Sequence, residues 1–199
     1  MYIRVALLLA LTALAPLASC ASQPPHGPPS KANSTEIFDE ESGSTLLVVS
    51  KPLVFARDRS DVSAHARDYA TLVAVEDDRS GQYTQYLLLY RWSTVDRRMS
   101  PPPGPDEGEI KILADGRTID LHPLERPPTS LAQRQALHVP EHGDLVYRAY
   151  RVDSAMLHYI ADSRELTVRM PQESLDTPFT VWEDGRGALT EFLQRAVAP

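Results

Sequence analysis

Between Tyr83 and Trp92 the chain reads Tyr-Thr-Gln-Tyr-Leu-Leu-Leu-Tyr-Arg-Trp, and this stretch limits the fold more tightly than any other. Successive side chains of an extended strand point to opposite faces. Tyr86, Leu88, Tyr90 and Trp92 then share one face, while Leu87 and Leu89 occupy the other. A strand that is apolar on both faces belongs in the middle of a sheet covered on both sides.

The rest of the chain supplies neighbours for such a strand. Tyr69 to Glu76 is a β-rich run, and the polar stretch Asp77-Asp-Arg-Ser-Gly81 between it and Tyr83 has strong turn chemistry, so the two runs read as a hairpin. Thr45 to Val49 and Leu53 to Ala56 are shorter strands separated by Lys51-Pro52. The clearest hairpin runs from Glu109 to Ala114, turns at Asp115-Gly116 and returns from Arg117 to Leu121. Asp-Gly between alternating strands favours a type I′ turn, whose two central residues need positive φ. Further strands are expected at Leu145 to Val152, Arg164 to Met170 and Phe179 to Trp182. Two helices fit the remaining pattern. Asp153 can cap a short one carrying Met156, Leu157 and Ile160, and the segment from Gly187 to Val197 places Leu189, Phe192, Leu193 and Ala196 on one stripe. The expectation is a mainly β fold, α+β at the margin: an antiparallel sheet or sandwich with one or two short helices, including a C-terminal amphipathic helix.

The N-terminus has a different character. After Arg4 an apolar run extends from Val5 to Leu17, interrupted by Thr12 and Pro16. It is too short for a spanning helix, which needs roughly 20 apolar residues. A charged start, a short apolar centre and small residues at its end describe a secretory signal peptide. Its last residues, Leu17-Ala18-Ser19-Cys20, resemble the lipobox of bacterial lipoproteins. That resemblance implies cleavage before Cys20, diacylglycerol on the cysteine sulfur and acylation of the new amino group, with no further cofactor. Several acyl chains make attachment durable where one alone is marginal. Ala21, where Asp would favour retention at the inner membrane, implies the outer membrane. The periplasm-facing leaflet is the default, and surface exposure stays open.

Residues 1–19 are therefore expected to be signal peptide, residues 20–36 a lipidated, proline-rich tether, and residues 37–199 a single β-rich domain. Cys20 is the sole cysteine, so the domain holds no internal disulfide and must depend on its apolar core. Removing the signal takes away Arg4 and no acid, which leaves 19 basic against 27 acidic residues, a formal charge of −8. Such a balance argues against a nucleic-acid partner, which needs clustered positive charge. The expected partners are the membrane, through the lipid, and another envelope protein.

Motifs for chemistry are sparse. His138-Val-Pro-Glu-His142 matches the inverted zinc-protease pattern, which needs both histidines one helical turn apart with glutamate as base. Pro140 disrupts that helix, so His138, Glu141 and His142 are weak metal candidates and a metal hydrolase is the remotest reading. The pairs Glu40-Glu41 and Asp77-Asp78 read as solvated charge. No nucleophile elbow is present, so no enzymatic activity is expected. Arg91, Trp92, Arg97 and Arg98, beside the loop Ser100-Pro-Pro-Pro-Gly-Pro105, form the candidate binding patch. An aromatic among guanidinium groups suits an interface or a glycan contact, against the plainer reading of a core tryptophan with surface ion pairs. Two roles follow: a non-enzymatic interaction module, or a β-sandwich that binds a small ligand or cell-wall glycan.

The lipobox resemblance has a direct consequence. Expressed in bacteria with radiolabelled palmitate, the wild-type chain is expected in the membrane fraction carrying label. Cys20→Ala should carry no label; label retained by the variant would remove the anchor assignment.

Overall fold

The computed structural model describes residues 33–95, 108–132, 146–171 and 177–197. Within them lie ten strands and two helices. In chain order they are β1 (Ser34–Asp39), β2 (Ser44–Val49), β3 (Leu53–Asp58), β4 (Arg67–Arg79), β5 (Gln82–Ser93), β6 (Ile110–Ala114), β7 (Arg117–Leu121), β8 (Val146–Val152), α1 (Ser154–Asp162), β9 (Leu166–Arg169), β10 (Phe179–Glu183) and α2 (Arg186–Arg195). Every strand pairing is antiparallel. The fold is mainly β, as the alternation indicates.

The sheet forks at β4. One side of this long strand pairs with β5 along its whole length, from Asp68↔Ser93 to Arg79↔Gln82. Its other side is shared: β3 takes the first half, Leu53↔Leu72 to Asp58↔Arg67, and β2 the second, Thr45↔Asp78 to Val48↔Val75. From β2 the sheet continues to β1, and from β3 it continues through β10, β9 and β6 to β7. β8 lies outside β5. The segments flanking β6 and β7, at the far end of the longer arm, reach β8, where the Tyr150 hydroxyl donates to the Gly108 carbonyl at 2.5 Å and the Leu124 amide donates to the Ala149 carbonyl at 2.8 Å. The sheet thus folds over one core.

β5 occupies the position its composition demands. Tyr86, Leu88 and Tyr90 on one face, and Leu87 and Leu89 on the other, are all buried. Both hairpin turns are two-residue turns with positive φ at each position: Ser80 at 55° with Gly81 at 84°, and Asp115 at 45° with Gly116 at 82°. These mirror-image turns match the right-handed twist of the flanking strands, which is why Gly occupies the second position of each.

Three details differ from expectation. β1 begins at Ser34, ahead of the domain start expected at Ile37 and inside the stretch assigned to the tether. Its only core-facing apolar residue is Ile37, with Phe38 64% exposed, so no period-two pattern announced it. It is held instead by register with β2 and by Arg195, whose guanidinium donates to the Ser34 carbonyl at 2.8 Å. The β4–β5 turn is also tighter than expected, because Asp77, Asp78 and Arg79 extend β4. Asp77 consequently is buried, not solvated; it pairs opposite Leu46, and its carboxylate accepts from the Ser130 hydroxyl at 3.0 Å. Last, the C-terminal helix is shifted to Arg186–Arg195 and buries Ala188, Leu189, Phe192 and Leu193, with Ala196 at its C-cap.

Among the described residues no helix is long and apolar enough to cross a membrane. α1 buries Leu157, Ile160 and Ala161, and its N-terminus is closed by Asp153, whose carboxylate accepts from the Met156 amide at 2.7 Å. An Asp N-cap satisfies one of the orphan amides of the first turn and is worth about 1 kcal/mol. Asp153→Ala is expected to lower the unfolding free energy by about that amount. In a chain of this size this is a drop in Tm of roughly 2–4 °C in thermal melts; an unchanged Tm would show the cap to be dispensable.

Candidate functional site: an aromatic groove

At the end of the sheet where β5 finishes and β4 begins, one face of the β4–β5 ladder becomes aromatic and opens to solvent. Trp92 of β5 lies opposite Tyr69 of β4 in the ladder, so both rings stand on one face. They stack with centroids 3.9 Å apart and planes 8° from parallel. Trp182 of β10 meets the edge of Tyr69 at 6.1 Å and 83°, an edge-to-face contact. The indole reaches this position because β10 changes register against β3 between Val181 and Glu183. Irregularities of that kind re-aim a side chain. Trp182 remains 51% exposed, and the Arg67 guanidinium sits 4.6 Å from its ring centroid. Arg67 is itself oriented by Asp58, through a 2.8 Å Nε–carboxylate bond.

These rings border a groove of about 380 Å³. Val54 and Thr71, opposite each other on β3 and β4, belong to its floor, and Ser50, Lys51, Pro52 and Glu183 complete it. Two chain segments must come close to form it. Gly185, following β10, packs against the β2–β3 connection so tightly that a Cβ there would lie 2.4 Å from the Pro52 carbonyl oxygen. Glycine is required at 185 for proximity and not for backbone conformation. The volume lies within the range of small-ligand sites, which combine apolar walls with a few polar groups.

The opposite face of the same strand ends carries a buried ion cluster. Asp68, only 7% exposed, accepts from Arg57 at 2.7 Å, from Arg59 at 3.2 Å and from the Ser93 hydroxyl at 2.6 Å. Arg59 also binds Asp61 at 2.9 Å, and the Arg57 guanidinium lies 4.3 Å from the centroid of Phe179. Burial pushes the Asp68 carboxyl up, but hydrogen bonds from Arg57 and Ser93 and the charges of Arg57 and Arg59 outweigh it, leaving the group below the usual carboxylate range. The cluster ties β3, β4 and β5 together one residue from the Tyr69–Trp92 stack.

The residues singled out from sequence are dispersed. Trp92 borders the groove, whereas Arg91, the preceding residue on β5, projects to the opposite face. Arg97 and Arg98 lie outside the described residues, as do Cys20, His138, Glu141 and His142. No group of three or more His, Cys, Asp or Glu that could hold a metal occurs among the described residues. Sequence reasoning missed Tyr69 and Trp182 as site residues. A usable signal was present, since both tryptophans of the chain, Trp92 and Trp182, stand near the ends of predicted strands, next to polar residues.

The cluster has a testable pH signature. A carboxyl depressed in the folded state contributes stability that is complete at neutral pH and is lost as pH falls through its folded value. Asp68→Asn leaves two buried guanidinium groups short of their shared anion, at a cost of about 3 kcal/mol. Urea unfolding at pH 7 should show that loss. The difference between wild type and variant should shrink below pH 4, and a pH-independent difference would assign the effect to packing.

Set against family models, curated proteins and solved structures, the chain matches none of them, and the groove is characterised by its own geometry.

Proposed function

We propose that this chain is an envelope lipoprotein, anchored through Cys20 at the outer membrane, that works as a non-enzymatic binding module with the Tyr69–Trp92–Trp182 groove as its recognition surface. The observation that carries this reading is the groove itself, and within it the half-exposed indole of Trp182. A folded domain gains by burying a large aromatic, and one held open beside a second tryptophan is the usual substance of a binding hot spot. The lipobox resemblance supports the address: a domain tied to the envelope meets its ligand there at high local concentration. Cofactors have no part in this role beyond the lipid on Cys20.

The test uses the mature chain carrying Cys20→Ala, incubated with envelope fragments and sedimented. Wild-type groove residues should give co-sedimentation, and Trp182→Ala should weaken it about tenfold, the equivalent of about 1.4 kcal/mol, with an unchanged Tm. Equal co-sedimentation of both proteins would remove the groove from the function. Crosslinking to one envelope protein that persists in Trp182→Ala would move the interaction to another surface.

A further inference from the structure

We infer that the ligand of the groove is a neutral oligosaccharide, a chain of hexopyranose rings without net charge; this rests on the binding role proposed above. A pyranose ring has an apolar face of C–H groups and an equator of hydroxyls. It therefore needs a flat aromatic surface together with donors and acceptors at the rim. Trp182 and the Tyr69–Trp92 stack supply the first. Lys51 and Glu183 supply the second: both line the groove and both are exposed, and Lys51 acts on the neighbouring Asp184 only through its charge, which leaves its ammonium donors turned to solvent. Hydroxyls donate and accept, so one pair of neighbouring hydroxyls can serve a carboxylate and an ammonium together.

Charge and topology disfavour the alternatives. A cationic ligand attracted to the aromatic faces would meet Lys51 at the groove and Arg67 over Trp182. An anionic polymer would meet Glu183 and approach a mature chain of formal charge −8, the 19 basic against 27 acidic residues beyond the signal. A peptide bound by strand addition needs an open sheet edge. The floor strands offer none, because β3 is paired with β4 and β10, and β4 with β3 and β5. What reaches the ligand from the floor is side chain, Val54 and Thr71. A proline-rich peptide, which docks on aromatic grooves without main-chain pairing, is left as a competing outcome.

The experiment exploits the fact that both tryptophans of the chain border the groove, so intrinsic indole emission reports on this site alone. The mature chain carrying Cys20→Ala is titrated with chitotetraose, cellotetraose, tetragalacturonate and a decaproline peptide. A saturable emission change is expected with at least one of the two neutral tetrasaccharides, and none with the other two compounds. Trp182→Ala and Glu183→Ala should each weaken that binding about tenfold without lowering the Tm. The inference is overturned if neither neutral tetrasaccharide changes the emission, or if decaproline or tetragalacturonate binds more tightly than both. Groove-dependent sedimentation with envelope fragments would then leave the binding role standing with a different ligand. Loss of that sedimentation as well would take the binding role down too.

Discussion

A strand pair that is apolar on both faces has a register problem, and its solution organises this domain. Slipping most sheets by one residue exposes the core face to water, which fixes the register strongly. Slipping β5 against β4 would only exchange one buried apolar row for another, since Leu87, Leu88, Leu89 and Tyr90 are all buried. Two polar pairs break the degeneracy. Asp68 and Ser93 are direct cross-strand partners near one end of the ladder and hydrogen bond at 2.6 Å. Glu76 and Gln85 are direct partners further along and hydrogen bond at 3.3 Å. A slip would strand these buried groups without partners, at about 1–3 kcal/mol for each neutral group and more for a carboxylate. The positive φ of Ser80 and Gly81 closes the ladder in the same register.

Both polar pairs also recruit the rest of the fold. The Glu76 carboxylate accepts the backbone amide of Val197, just past the end of α2, at 2.9 Å. Gln85 accepts the hydroxyl of Ser154, the first residue of α1, at 3.0 Å. One pair thus receives the start of the first helix and the exit of the second, on the face of the sheet that both helices cover. At the other end, Asp68 gathers Arg57 and Arg59 from β3 and the loop after it. Helix docking and sheet register are therefore parts of one hydrogen-bonded system in a chain without disulfides.

Much of this architecture was legible in sequence because it is local. Asp115-Gly116, the alternation around it, Asp153 as a cap and the stripe on α2 each depend on residues a few positions apart. What escaped notice is non-local or breaks the statistical habit of its residue type. β1 has one inward apolar side chain and is held by Arg195, far along the chain. Asp77, Asp68, Arg57 and Arg59 look like solvent-facing charge, yet they are buried because partners converge on them from other strands. The groove is the extreme case. Trp92 could be marked as a binding candidate, but its companions Tyr69 and Trp182 join it only through the fork of the sheet and the register change in β10.

The fork also explains why the groove opens where it does and why its geometry suits recognition. Binding loses affinity when side chains must be ordered as the ligand arrives. Here the order is built in advance: the Asp68 cluster locks the strand ends from behind, the Tyr69–Trp92 stack fills the sheet face in front, and Gly185 lets β10 close against the Pro52 carbonyl. The charges nearest the site are matched to one another, Arg57 and Arg59 with Asp68, and Arg67 with Asp58. Next to the groove Asp184 is paired with Arg186 and also feels the charge of Lys51, so Lys51 and Glu183 line the groove as one ammonium and one carboxylate within a largely paired set of charges. A preformed aromatic surface flanked by one ammonium and one carboxylate discriminates by shape and hydrogen bonding more than by net charge, the selectivity that the proposed uncharged sugar requires.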